Sequence, residues 1–292
     1  MTGRVLVTGG NGRLGRAVLA ALGDRGVAGV RGKGINGAIA IDSAGTVDAA
    51  RLAGIDAVIN CAGRVSGAHA EIEQANRLYA VAVARRAREA GVGRFVQVSS
   101  FSIYGDAERI DGESPPAPQA DYARSKFAAE HDLAELATPE FRVVSLRLPF
   151  MFSASEPALL GKLVTAMVRL RVLPVPRGSA SRRSMITYGG AADALVTLAT
   201  GPVAADGALV AADPQPLDIA ALARTVRARL DTRIAIVPVP AFAAKLARKV
   251  APDMVDRLMR SSVLAASANV LAAGTSAPVA AEIETYLAGM RR

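Results

Sequence analysis

Val5-Leu6-Val7-Thr8-Gly9-Gly10-Asn11-Gly12-Arg13-Leu14-Gly15 settles the architecture. The apolar run at 5–8 reads as a buried strand and the periodicity over 14–22 as a helix, with glycines 9, 12 and 15 in and just after the turn between them. Glycine lets the backbone turn tightly and come close to a pyrophosphate, whose charge then lies at the helix N-terminus.

Outward from that turn, short apolar runs alternate with longer helical patterns. Strands are predicted at 27–31, 38–41, 57–61, 95–99 and 143–148, and helices at 71–90 and 127–137, the former stopped by Gly91 and Gly93. This alternation predicts an α/β fold, a Rossmann-like doubly wound parallel sheet over residues 1–150. Only residues 32–37 separate the second and third strands, too few for a helical crossover of at least about 10–12 residues, so either the return is helix-free, the preferred reading, or one of the two is not a strand.

After Pro149 the pattern loosens. Helices are predicted at 159–169, 191–199, 217–230, 242–250 and 279–290, with short strands near Leu209 and over 234–237 and a Pro- and Arg-rich stretch at 174–183. Residues 151–292 are expected to form a smaller C-terminal α+β substrate lobe, with part of 184–201 returning to the first domain. Such a lobe would lie over the carboxyl ends of the strands, where doubly wound folds bind ligands.

Composition narrows the function classes. The net charge is +9, but the basic residues are spread along the chain and aromatics are only 4%, which argues against nucleic acid and suits anionic small molecules. No apolar run reaches the roughly 18–20 residues of a membrane span. The one cysteine, Cys61, excludes an internal disulfide framework and suits a reducing compartment, so a soluble cytoplasmic protein is expected. His69 and His131 lack metal-ligand company, and no metal site is expected.

The chemistry lies in Tyr122-Ala123-Arg124-Ser125-Lys126. Residues four apart share one helix face, so the Lys126 ammonium can lie beside the Tyr122 phenol and favour its ionised form. That makes the phenol a usable acid/base near neutral pH, as proton exchange with an alcohol or ketone requires.

Thr8-Gly9-x-x-Gly12-x-x-Gly15 together with Tyr122-x-x-x-Lys126 resembles the extended short-chain dehydrogenase/reductase superfamily, in its NAD-dependent epimerase/dehydratase branch acting on nucleotide sugars. The resemblance implies an oxidoreductase and assigns residues. Gly9, Asn11, Gly12, Arg13, Leu14 and Gly15 would form the dinucleotide turn, Asp42 and Ser43 the adenine contact after the third strand. Cys61, Ala62 and Gly63 would run beneath the cofactor, with Asn76, Ser99 and Pro149 close to it; Cys61 reads as a small buried hydrophobe.

Val98-Ser99-Ser100-Phe101-Ser102-Ile103-Tyr104-Gly105 is similar to the family's strand-end motif, in which the position of Ser100 is catalytic. Ser100, Tyr122 and Lys126 are thus the implied catalytic set, Lys126 also reaching the nicotinamide ribose and Ser102 a neighbour of the substrate. Arg147-Leu148-Pro149 matches the segment beside the nicotinamide. Arg183, in Arg182-Arg183-Ser184-Met185-Ile186, would grip a substrate diphosphate through its planar fork, with Arg257 a second candidate.

The second predicted strand ends Val30-Arg31-Gly32-Lys33 with no acidic residue to accept ribose hydroxyls, so Arg31 and Arg13 favour NADP over NAD. Phe101 and Ser102 stand where dehydratases of the family carry Asp-Glu, which argues against elimination of water. Phe150-Met151-Phe152-Ser153 and Thr187-Tyr188-Gly189-Gly190 also depart from the family pattern. The expected activity is a nucleotide-sugar 4-ketoreductase. The alternatives are a 4-epimerase with tightly held NAD and a non-catalytic dinucleotide-binding regulator, against which the intact Ser-Tyr-Lys set argues. The family also implies a homodimer through the helices at 71–90 and 127–137.

Overall fold

A computed structural model describes residues 3–31, 37–111, 113–176, 181–202, 207–240, 261–265, 270–271 and 276–290. The predicted helix at 242–250, Arg257 and most of the 32–37 return lie outside them. The first half runs β1 (Arg4–Thr8), α1 (Arg13–Leu22), β2 (Gly26–Val30), β3 (Ile39–Ala40), β4 (Ile55–Asn60), α2 (His69–Glu73), α3 (Tyr79–Glu89), β5 (Arg94–Ser100), β6 (Arg109–Ile110), α4 (Asp121–Ala134) and β7 (Arg142–Leu148). The second half runs β8 (Phe150–Phe152), α5 (Ala158–Leu170), β9 (Val172–Pro176), β10 (Arg182–Arg183), β11 (Met185–Thr187), α6 (Tyr188–Thr200), β12 (Gly207–Ala211), β13 (Leu217–Asp218), α7 (Ile219–Leu230), β14 (Ala235–Val239), β15 (Val263–Leu264), β16 (Val270–Leu271) and α8 (Val279–Met290).

The main sheet has eight strands in the order β3-β2-β1-β4-β5-β7-β12-β16, all neighbours parallel. The order reverses between β1 and β4, opening a crevice at their carboxyl ends where such sheets bind ligands. Both faces are covered, as a parallel sheet requires. Val7, Ile59, Val96 and Leu146 pack with Val18 of α1 and Leu195 of α6 on one face, while Leu6, Val58, Phe95 and Val143 pack with Val83 of α3 and Leu133 of α4 on the other. A separate core of Phe152, Leu163, Leu222 and Ile283 joins β8, α5, α7 and α8.

Three elements differ from the sequence expectation. The helix predicted at 71–90 is interrupted by a π-helical turn, Gln74–Leu78. The helix predicted at 127–137 is α4, which starts at Asp121, after Pro115, Pro116 and Pro118; the acidic residue in its first turn favours that start. The chain also returns to the main sheet more extensively than part of 184–201. α6 packs on its face, and β12 and β16 extend its edge, with Leu209 of β12 opposite Leu146 of β7. β3 pairs parallel to β2, Gly29 opposite Ile39, so the chain does return after the short connection.

Candidate active site

The glycine turn is built for close approach. Gly9 has φ +69°, and a Cβ there would lie 2.8 Å from the amide nitrogen of Ala62, on the loop leaving β4. A Cβ on Gly15 would run into the carbonyl oxygen of Gly9. No side chain caps the start of α1, where Gly12 is the N-cap, so its first amides face outward as an anion site.

A cleft of about 690 Å³ opens beside this turn. Of the expected cofactor residues, Gly9, Asn11, Gly12, Arg31, Ser43, Cys61, Ala62 and Gly63 line it. Glu71, Ala75 and Tyr79, with Gln74, form its other wall, and Arg64 flanks them. The sequence reading missed that wall, although 71, 75 and 79 recur at the four-residue spacing of one helix face.

Arg13, Leu14, Asp42 and Asn76, also expected at the cofactor, do not line this cleft and make contacts within the protein. The Arg13 guanidinium pairs with Glu156 beyond β8, beside Arg16, whose Nη2 lies 3.0 Å from the same carboxylate. Its pKa is raised by a hydrogen bond with Tyr188 and by Glu156. Asp42 is exposed, and its Oδ1 accepts from the amides of Ala44 at 2.9 Å and Thr46 at 2.8 Å. Those bonds, the Thr46 amide first, lower its pKa and turn one carboxylate oxygen into its own loop. Leu14 is a core residue. Asn76, on the π-helical turn, is fully buried: its Oδ1 accepts from the Arg64 amide at 2.8 Å, and its Nδ2 donates to the Arg64 carbonyl and to Ser125 Oγ, both at 2.9 Å. It shapes the cleft wall through the Arg64 loop, a π-turn at a site as is common.

The three expected catalytic residues come from β5 and α4. Ser100 ends β5, and its Oγ accepts from the Ser102 amide at 3.2 Å and the Ser102 hydroxyl at 3.0 Å. Tyr122 is half-buried in the first turn of α4. Lys126, one turn on, is 3% exposed, and its Nζ donates to the carbonyl of Val98 at 2.9 Å. A Cβ on Gly63 would lie 3.2 Å from that ammonium, so Lys126 sits directly beneath the 61–63 loop. Burial lowers the Lys126 pKa to about 8, against upward contributions from Cys61 and Glu130. Burial likewise pushes the half-buried Cys61 thiol up to about 12, which keeps it protonated. Ser99 is buried, and its hydroxyl has no hydrogen-bond partner. Pro149 is buried between β7 and β8.

Arg147 of β7 is held by Glu130 of α4 through contacts of 2.6–3.1 Å, donates to the Tyr104 hydroxyl at 2.9 Å and stacks 5.1 Å from that ring's centre. Arg183 is half-buried on β10, opposite Leu217 of β13 and bridged to Ser262. Among the described residues no three His, Cys, Asp or Glu side chains are grouped to hold a metal ion, and no helix is long and apolar enough to cross a membrane.

The chain is 29% identical to a UDP-glucose 4-epimerase of Vibrio cholerae over 194 residues, 63% of this chain and 58% of that protein. It is 32% identical over 185 residues to a 4-hydroxy-2-methyl-3-oxo-4-farnesyl-3,4-dihydroquinoline-1-oxide ketoreductase of Stigmatella aurantiaca, 56% of this chain and 55% of that one. The matches thus span little more than half the length of either relative. A short-chain dehydrogenase/reductase superfamily protein from Agrobacterium tumefaciens, solved with bound NAD, shares the fold with TM-score 0.75 at 20% identity, over 99% of this chain and 97% of that one. The profile of the NAD dependent epimerase/dehydratase family matches residues 5–207, and the chain belongs to that family as an enzyme of the short-chain dehydrogenase/reductase type.

Proposed function

We propose that this enzyme reduces a 4-keto group on a nucleotide-diphosphate sugar, with Tyr122 supplying the proton. The observation that carries the reading is the Lys126 ammonium, buried beneath the cleft wall, one helical turn from Tyr122 and bonded to a neutral carbonyl. A cation without a bound carboxylate acts on a neighbouring phenol at full strength in a low-dielectric site.

The residues present fit a dinucleotide. Gly9, Gly12 and Gly63 line the cleft with bare backbone, and the buried Ser99 hydroxyl has no partner among the described residues. Bound in the cleft, the dinucleotide would supply or accept the hydride. Gly9, Asn11 and Gly12 would hold its phosphates and the 61–63 loop would run beneath it, while Lys126 would hold the ribose and lower the Tyr122 pKa. Ser100 would orient the substrate oxygen toward Tyr122, with Ser102 beside it, and Arg183 would meet the diphosphate from the lobe. NADP is preferred in this reading, because Arg31 lines the cleft at the end of β2 and the sequence that follows that strand, residues 31–37, has no Asp or Glu.

Division of labour near residue 150, a cytoplasmic setting and a homodimer across α3 and α4 belong to the same proposal. The half-exposed Leu78, just before α3, supports the last.

A second reading, a 4-epimerase that oxidises and re-reduces C4, is favoured by the Vibrio cholerae relative. Titration with NAD and NADP, followed by a screen of nucleotide-sugar 4-ketones for cofactor oxidation, tests both. Net consumption of reduced cofactor is expected; turnover without net consumption assigns the epimerase. Reduction of non-nucleotide ring ketones alone would overturn the sugar assignment, and equal or tighter binding of NAD would overturn the NADP preference.

A further inference from the structure

The geometry points to Gln97 as a positioning residue that sets where the Lys126 ammonium rests, an inference that builds on the role of Lys126 proposed above. Gln97 lies mid-strand in β5 between Val96 and Val98 and is fully buried. A two-ended amide in such a place is costly unless both ends are hydrogen-bonded, so its presence needs a reason.

Both ends are satisfied, and in a fixed direction. The Thr8 hydroxyl, at the end of β1, donates to Asn60 Oδ1, which also accepts from the Ala62 amide at 3.3 Å. Asn60 Nδ2 donates to Gln97 Oε1 at 2.7 Å, and Gln97 Nε2 donates to the Val98 carbonyl at 3.0 Å. That carbonyl is the acceptor of Lys126 Nζ at 2.9 Å. Pairing of β4 with β5 ends at Asn60 opposite Gln97, and one residue beyond it two side-chain donors converge on one oxygen. The chain thus runs from the glycine-turn strand, across three strands, to the lysine.

Gln97 and Lys126 share the oxygen, so the amide limits the ammonium's hold on it and leaves the charge nearer Tyr122 and the 61–63 loop. The other ionisable groups around the ammonium are Cys61 on that loop, Glu130 and Tyr122 on its own helix, and Arg147 of β7, which holds Glu130. On β5, only neutral groups meet it. Removing the amide donor draws the ammonium toward Val98 and moves its titration upward.

The test needs no substrate. The chain has five lysines, so lysine side-chain NMR of the isotope-labelled full chain is resolvable, and Lys126→Met assigns the signal. Gln97→Met should raise the Lys126 titration midpoint by about half a pH unit or more while Lys162 stays put. Gln97→Glu keeps the side-chain length and the acceptor for Asn60, and should raise the midpoint further; it serves if the Met variant does not fold. A folded variant with an unmoved midpoint would overturn the inference, because a merely structural glutamine leaves that midpoint alone. The outcome is separable from the functional proposal: retained activity in Lys126→Met defeats that proposal whatever Gln97 does.

Discussion

Lys126 and Arg147 are both buried cations on elements that touch, and the fold treats them in opposite ways. Arg147 is gripped by Glu130 and Tyr104; burial works against its charge, but those partners more than offset it and raise its pKa. Lys126 receives a neutral carbonyl, and burial lowers its pKa to about 8. A cation meant to hold elements together is neutralised by a partner at close range. In the mechanism proposed above, the cation that acts on the phenol is bonded to a neutral carbonyl instead, at a cost in stability.

The contrast breaks most visibly in activity. Lys126→Met or Tyr122→Phe should lower kcat by about 10²–10⁴-fold, the usual range for a positioned acid/base. Activity persisting in Tyr122→Phe would sink the mechanism. Arg147→Leu should instead act on folding. It leaves the Glu130 carboxylate buried and unpaired, and a loss of about 3–5 kcal/mol in chemical denaturation is expected. A change below about 1 kcal/mol would show that the pair is no clamp.

Stability against pH sharpens the comparison further. The Lys126 pKa lies near 8 in the folded protein against an ordinary 10.5, so between these values the unfolded chain binds more protons and stability rises with pH. Below pH 8 the charge is a burden that Lys126→Met removes, giving about 1–3 kcal/mol of added stability together with the lost activity. That advantage should close as pH rises from 8 to 10.5. A variant no more stable than the wild type at pH 7 would mean that the ammonium has a partner in solution as good as the one Arg147 has.

What the sequence revealed follows the same division. The glycine turn and the Tyr122–Lys126 spacing are local patterns, and local periodicity is enough to place them on a strand end and one helix face. Arg13 was expected to meet cofactor phosphate, but its direction depends on Glu156, a residue remote in sequence beyond β8. Asp42 was expected at the adenine, but its own loop amides hold one of its oxygens. Gln97 was passed over because its meaning arises only when the register of β1, β4 and β5 sets Thr8, Asn60 and Gln97 in line. β12 answers to the strand expected near Leu209, but its place beside β7 is set by tertiary pairing that no local pattern encodes, and β16, two residues long, carries no periodicity at all.

The smallest effect uses Cys61 as a reporter of the lysine's charge. Burial raises its thiol to about 12, and the Lys126 ammonium pulls in the other direction. It is the chain's one cysteine, so alkylation reads a single site. Labelling by iodoacetamide at pH 7 should be far slower than for a free thiol, because the thiolate is the nucleophile. Lys126→Met removes the ammonium and should slow labelling by about another two- to tenfold. The gap should exist below pH 8, where Lys126 is charged, and vanish above it, where wild type and variant are alike neutral at that position. Arg147→Leu leaves the ammonium in place, and should therefore slow labelling at pH 7 far less than Lys126→Met does. Equal effects of the two substitutions would erase the distinction between an open cation and a clamped one.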